Sequence, residues 1–243
     1  MAPTTVDELQ QLLARHGLPS ALGDRAVIGL ALIPGEQGQS KLGGQPKVAA
    51  PWPTNNGRAL THLASIALEE LPDVPARSVL PREGTVVFFA DLSFDNEGWS
   101  PADGADSVIE IVHVLPGSVT TATTPPDEQR DPDEVPVVLN ERRVQFLPVL
   151  TLPAEELYEA LEHHEDPDGF LVELDMPAHL LLGEPEYIQG DPRGPGEVSL
   201  LQLNWDEDLG FTYGDGGEIS FYASPDNLRA ARWSDVKASL ESS

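Results

Sequence analysis

The chain contains no cysteine. Disulfides, thiol catalysis and thiolate metal sites are therefore excluded, and packing alone has to hold the fold. Bases are scarce as well: Lys and Arg number 14 against 41 Asp and Glu, a formal charge of −27. A surface so short of cations cannot displace counterions from a nucleic acid or settle on anionic lipid, so neither a nucleic-acid nor a membrane partner is expected. Long apolar runs are missing too. Residues 27–33 form one of the longest, far below the roughly 20 residues that a membrane span needs. The first residues carry no basic and apolar leader pattern, so a cytoplasmic location is expected.

What is present is the composition of a globular protein: 243 residues, of which 40% are hydrophobic and 23% charged. A chain of this length buries roughly 70% of its unfolded surface and needs no covalent staple. The acidity has two readings. It keeps molecules apart in solution, or it fits the chain to a basic protein partner, such as a toxin that an acidic protein neutralises. Only Lys41, Lys47 and Lys237 are lysines. With Ala, Gly and Pro abundant, that scarcity reads as coding bias.

Residues 5–16 read as a helix, with Thr5 and Glu8 forming a capping box and Leu9, Leu12 and Leu13 an apolar stripe. Residues 26–33 read as a buried strand. Residues 40–53, SKLGGQPKVAAPWP, hold Gly43-Gly44, three prolines and Trp52. Proline removes a donor and fixes φ, so the stretch is neither helix nor central strand but an ordered loop pinned by Trp52. Residues 60–71 fit a strand or a short helix equally. Strands are predicted at 85–90, 107–115, 144–152, 199–205 and 218–223, a helix at 153–164, and a helical tail at 225–240. The Pro- and acid-rich residues 118–135 read as an exposed connection, and the polar residues 91–106, with Trp99, as turns.

Three blocks recur in order. LGGQP at 42–46 pairs with LLGEP at 181–185, Leu63-Ala64-Ser65-Ile66 with Leu200-Leu201-Gln202-Leu203, and the strand at 84–89 with that at 217–222. Self-similarity of this kind points to a duplicated unit. The expected fold is α+β: two related β-rich units, approximately 26–117 and 140–224, with mostly antiparallel sheets and a few peripheral helices.

These blocks also carry a family likeness. Leu42 to Pro46, Trp52-Pro53, the Leu80-Pro81 turn before an aromatic strand, Leu182 to Pro185, Leu200 to Leu203 and the Gly214-Asp215 turn before a second aromatic strand resemble the YwqG-like family, a bacterial family of unknown function. The likeness spans about residues 40–225. It implies an α+β fold in a single domain over 1–243 and no reaction. The family pattern usually has Gln where this chain has Ser65.

No motif points to catalysis, to a cofactor or to a metal. His163 and His164 are adjacent and point about 100° apart on a helix, a poor ligand pair. The acidic run from Asn204 to Gly210 has its glycine out of place for a calcium loop. Gly214 to Gly217 lacks the Lys of a phosphate loop. His62, His113 and His179 stand among apolar residues as structural histidines do. The remaining candidate is a polar cleft between the two units, bringing Trp52, Gln189, Asp191, Gln202, Trp205 and Asp215 together. The expected function is a non-enzymatic binding or interaction protein; the alternative is an enzyme with a carboxylate or His site in that cleft.

Overall fold

A computed structural model describes residues 2–92, 108–126, 130 and 134–242. The polar stretch around Trp99 lies outside the described residues. Helix α1 (Val6–Arg15) opens on the Thr5/Glu8 capping box and buries Leu9, Leu12 and Leu13. Helix α2 (Ser20–Asp24) leads into strand β1 (Val27–Pro34). Four two-residue strands follow: β2 (Lys41–Leu42), β3 (Lys47–Val48), β4 (Thr54–Asn55) and β5 (Arg58–Ala59). Then come β6 (Thr61–Ala67), β7 (Thr85–Ala90), β8 (Ile109–Val114), β9 (Thr121–Ala122) and the long β10 (Arg142–Thr151). Helices α3 (Ala154–Leu161) and α4 (Pro167–Leu174) precede β11 (His179–Leu181), β12 (Val198–Asn204), β13 (Glu218–Ala223), helix α5 (Pro225–Arg229) and β14 (Lys237–Glu241).

Ten strands form one sheet in the order β14-β13-β12-β11-β1-β10-β2-β6-β7-β8, and every pairing is antiparallel. The fold is therefore mostly β, a single barrel-like sheet close to closure, and the expectation of an α+β fold with two duplicated units is corrected. Two findings overturn it. Strand β1 lies between β10 and β11, both from the second half of the chain, and pairs with β10 along its whole length from Val27↔Thr151 to Pro34↔Val144. The halves thus interleave, and neither closes its own hydrogen bonds. The interior is also shared: one cluster joins Leu42, Ile66 and Phe88 to Leu201, Phe221 and Leu240, and Phe88 meets Phe221 edge-on at 5.2 Å between centroids. The two edges curl toward each other, since His113 of β8 packs edge-on at 5.5 Å against Trp233, in the turn that feeds β14.

The expected helical tail is also corrected. Helix α5 stops after five residues; Ala231 takes φ 51°, and Lys237–Glu241 adds an edge strand to β13. A side chain with its Cβ in the left-handed region does not continue a helix. The ambiguous residues 60–71 resolve as strand β6 followed by one 3-10 turn at Leu68–Glu70. Helices α1, α3 and α4 gather Leu9, Leu13, Leu157, Phe170 and Leu174 over Leu150 and Leu152 at one end of the central β1/β10 pair. Among the described residues no helix is long and apolar enough to cross a membrane.

On either side of that central pair the sheet has a wing. The first wing comprises β2, β6, β7 and β8, and the second β11 to β14. The outer face of the first wing is covered by residues 46–60, where Val48, Trp52, Ala59 and Leu60 pack on Val87 and Phe89.

Candidate functional site

The site forms where the Gly43-Gly44 turn leaves the first wing. Both glycines have positive φ, 60° and 67°. A Cβ on Gly43 would lie 2.2 Å from the Asn140 carbonyl oxygen, so the close approach itself requires glycine. Backbone bonds from Gly43 N to Leu63 O (2.8 Å) and from Gly44 N to Leu139 O (2.9 Å) fasten the turn. The chain then rises off the sheet as β3, which pairs with β9. Trp52 ends the excursion: it is buried, its Nε1 donates to Leu60 O at 2.7 Å and its ring meets Phe89 edge-on. The prolines and glycines of residues 40–53 thus shape a two-stranded flap standing over the sheet.

Between flap and sheet lies a cleft of 680 Å³, within the size range of small-molecule sites. Its polar wall includes Lys41, Lys47, Glu69, Glu70, Glu141 and Arg143, and its apolar wall Ala67, Val114, Leu115 and Pro116. The acids are all engaged. Glu70 accepts from the amides of Gln39 and Ser40, the latter at 3.0 Å. Glu69 accepts from Gly84 N at 2.8 Å. Glu141 takes the Lys41 ammonium at 2.7 Å, and that bond holds its carboxyl below the usual range. The cations are not all engaged. Lys47 is exposed on the flap, and Arg143 bonds the Gly38 carbonyl at 2.9 Å through Nη1. Neither forms an ion pair among the described residues.

The sequence profile of a family described as a domain of unknown function, DUF1963, matches residues 40–241. The chain belongs to the DUF1963 family. The matched span begins at the stretch that builds the flap and holds every residue of the cleft except Gly38 and Gln39. It leaves out α1, α2 and β1, although β1 completes the DUF1963 sheet between β10 and β11. Comparison with curated proteins finds no match.

Beneath the DUF1963 cleft lies a Ser–His contact. His62 is fully buried; its Nδ1 faces the Gly44 carbonyl at 2.8 Å and its Nε2 the Ser65 hydroxyl at 3.0 Å. A carbonyl only accepts, so Nδ1 carries the proton and Nε2 accepts from Ser65 Oγ. The pair superficially has the form of a nucleophile and its base. Burial, however, pushes the imidazole down to about 4. A base that cannot hold a proton near neutrality, and whose orienting group is an uncharged carbonyl, is a poor partner for acyl transfer. Its work is to lock the Gly43-Gly44 turn onto β6, where the register shifts between His62 and Ala64.

The six residues expected in an inter-unit cleft are dispersed. Trp52 packs in the first wing as described. Gln189 and Gln202 do converge, on the outer face of the second wing. Gln189 N donates to Glu241 Oε2 at 2.7 Å, and buried Gln202 donates to Glu218 Oε2 at 3.1 Å, to Ser220 Oγ at 3.3 Å and to the Glu186 carbonyl. Asp191 grips Arg193, with Nη2 to Oδ2 at 2.7 Å, on the rim of a 440 Å³ groove. Trp205 is half-buried and Asp215 exposed in a turn.

Gln202 belongs to a knot of carboxyls. Glu218 and Glu241 are neighbours across β13 and β14, and both are buried. Burial, reinforced by Glu241 and Glu186, pushes the Glu218 carboxyl up to about 8, so it keeps its proton at neutral pH. Burial alone raises Glu186. Among the described residues no three His, Asp or Glu side chains converge as a metal site requires.

The other motifs are absorbed by structure. Asp206 bonds Arg142 at both nitrogens of the guanidinium fork and His179 Nε2 at 3.0 Å, and its Oδ1 accepts from Leu209 N at 3.0 Å. Burial opposes its ionisation, but the Arg142 and His179 bonds prevail and hold its carboxyl at about 2. The acidic turn is thereby riveted to β10. His164 donates from Nε2 to His16 O at 2.7 Å and accepts from Asp166 N at 3.0 Å. The sequence reasoning overlooked Lys47, Arg143 and Glu141. A signal was available: two of the three lysines fall within residues 41–47 of an otherwise lysine-poor chain.

Proposed function

We propose that the protein is a non-enzymatic binding protein whose ligand occupies the cleft between the flap and the first wing. One observation carries this reading: a preformed concave site in which each acid already has an internal partner while two cations, Lys47 and Arg143, have no carboxylate partner among the described residues. Groups left with free bonding capacity in a concave site are what a ligand completes. The catalytic alternative has less support, because the one Ser–His contact beside the cleft is buried and its imidazole stays neutral. A basic protein partner is supported less than a small ligand. The acid-rich groove at Asp191 is laced internally by Arg25–Glu156 and Arg193–Glu184, and Lys237 holds its Glu197, which leaves little free charge to offer. The Leu-Gly-Gly-x-Pro and Trp-Pro motifs behind the YwqG-like resemblance fall inside the matched span, which favours membership of the same family.

The test is retention of small molecules from a cell extract, read by mass spectrometry, with Thr85→Trp as the control that fills the cleft floor. The native protein is expected to retain a molecule of defined mass, to return it unchanged, and to lose it in the variant. Equal retention by both proteins, or recovery of a converted product, overturns the reading.

A further inference from the structure

Charge in this molecule is distributed unevenly in one respect. Of its 14 bases, ten form ion pairs with carboxylates: Arg15, Arg25, Lys41, Arg58, Arg82, Arg142, Arg193, Arg229, Arg232 and Lys237. Two more serve the backbone. Buried Arg77 donates to the carbonyls of Leu68, Leu80, Pro81 and Arg82, and Arg130 to those of Ala59 and Val135. The other two, Lys47 and Arg143, form no ion pair among the described residues, Arg143 spending one nitrogen on the Gly38 carbonyl, and both line the same cleft. In a chain with 41 acids a base readily finds a carboxylate, so two bases without an ion pair among the described residues, both in one concavity, depart from the pattern of the other bases.

Resting on the cleft reading above, we infer that the ligand carries an oxyanion, a carboxylate or phosphate monoester, joined to an apolar body, and that Lys47 and Arg143 receive the oxyanion. Arg143 is suited to this. One end of its guanidinium is anchored on the Gly38 carbonyl, so the rest of the fork is held in place for a planar or tetrahedral anion with less side-chain entropy to lose. Lys47 stands on the flap and contributes a mobile point charge. The three carboxylates of the cleft, Glu69, Glu70 and Glu141, are matched by its three bases, and their oxygens are directed to backbone amides or to Lys41. Arg143 acts on Glu141 only through its charge, so the hydrogen-bond donors of Lys47 and Arg143 are not taken up by a carboxylate among the described residues. The apolar body fits the other wall, where Val114, Leu115 and Pro116 face the cleft and Leu115 is 58% exposed. A polynucleotide is a poor occupant, since its many phosphates need many bases and would meet a net charge of −27.

The experiment titrates hexanoate and phenyl phosphate into the full-length protein at low ionic strength, with hexanamide as the uncharged counterpart of hexanoate, and follows backbone amide resonances. Saturable shifts are expected at Lys47, Ala67, Thr85 and Arg143, with hexanamide about tenfold weaker or more. The stronger of the two anions identifies carboxylate or phosphate as the group preferred. Lys47→Gln and Arg143→Gln should each weaken binding by about tenfold while leaving the remaining amide spectrum in place. Hexanamide binding as tightly as hexanoate overturns the anion inference and leaves the cleft as a ligand site. Unchanged affinity in both variants, or no shift at these amides with any probe, overturns it as well.

Discussion

The two wings of the sheet treat polar residues on their outer faces in opposite ways. In the first, a flap anchored by Trp52 borders an open cleft whose wall carries both signs of charge, and two of its cations, Lys47 and Arg143, have no carboxylate partner among the described residues. In the second, Gln189 and Gln202 close over Glu218 and Glu241, and burial forces the Glu218 carboxyl to stay protonated. An open site with unused donors suits recognition. A sealed knot of carboxyls suits stability that depends on pH. The difference follows from which loop covers each wing, because the strands beneath are similar in length and pairing.

Three experiments probe this comparison. The largest effect tests whether the wings are one body at all. Phe221→Ala removes a fully buried ring that touches Phe88 of the other wing, and a loss of about 3–5 kcal/mol is expected. Because the core is shared, hydrogen-exchange protection should fall in β7 and β13 together. Loss confined to β11–β14, with β6–β8 still protected, breaks the picture of a single sheet with a common interior.

The next experiment separates the wings by pH. Glu218 has its folded value raised from 4.5 to about 8. The native state therefore binds one proton more than the unfolded chain between those values, and stability falls as pH rises through that window, by at most about 1.4 kcal/mol per pH unit. His62 has its folded value lowered from 6.5 to about 4, so the unfolded chain takes the extra proton and stability falls as pH drops from 6.5 toward 4. The two slopes oppose each other where the windows overlap. Denaturant midpoints measured for Glu218→Gln should lose the decline above 6.5, and those for His62→Gln should lose their share of the acid limb. A decline above 6.5 as steep in Glu218→Gln as in the native protein would show that the second-wing knot does not hold this proton.

The smallest effect belongs to the cleft. Lys47→Gln and Arg143→Gln remove exposed charges that make no ion pair among the described residues, and each should change stability by less than about 0.5 kcal/mol. A larger loss in thermal unfolding would mean that these cations hold the fold together, and the contrast between a binding wing and a structural wing would weaken accordingly.

Much of the local structure was legible. The capping box at Thr5 and Glu8, the aromatic strands at 85–90 and 218–223 and the Trp52 anchor all follow from patterns within a few residues. Residues 40–53, by contrast, are not loop throughout, since Lys41–Leu42 pairs with β10 and β6 inside the sheet, ahead of the first proline of the stretch. The errors came where contacts are long-range. Residues 225–240 have helix-compatible spacing, yet their last five pair with β13, a partner lying upstream across α5. The recurring blocks describe similar strands on opposite wings and say nothing of β1, which inserts among strands of the other half. The candidate cleft failed for the same reason, since Trp52 and Gln202 belong to different wings.

The sequence by itself determined that this would be an acidic, thiol-free globular chain, that strands lie near 85–90 and 218–223, and that Gly43 and Trp52 shape the segment between the first strands, because turn geometry and alternation act over neighbouring residues. Only the tertiary structure decided that the strands form one sheet and that Lys47 and Arg143 line one cleft with no carboxylate partner among the described residues. Which strand pairs with which, and which carboxylate reaches which base, depends on residues far apart in the chain that meet only when the sheet has closed around its common core.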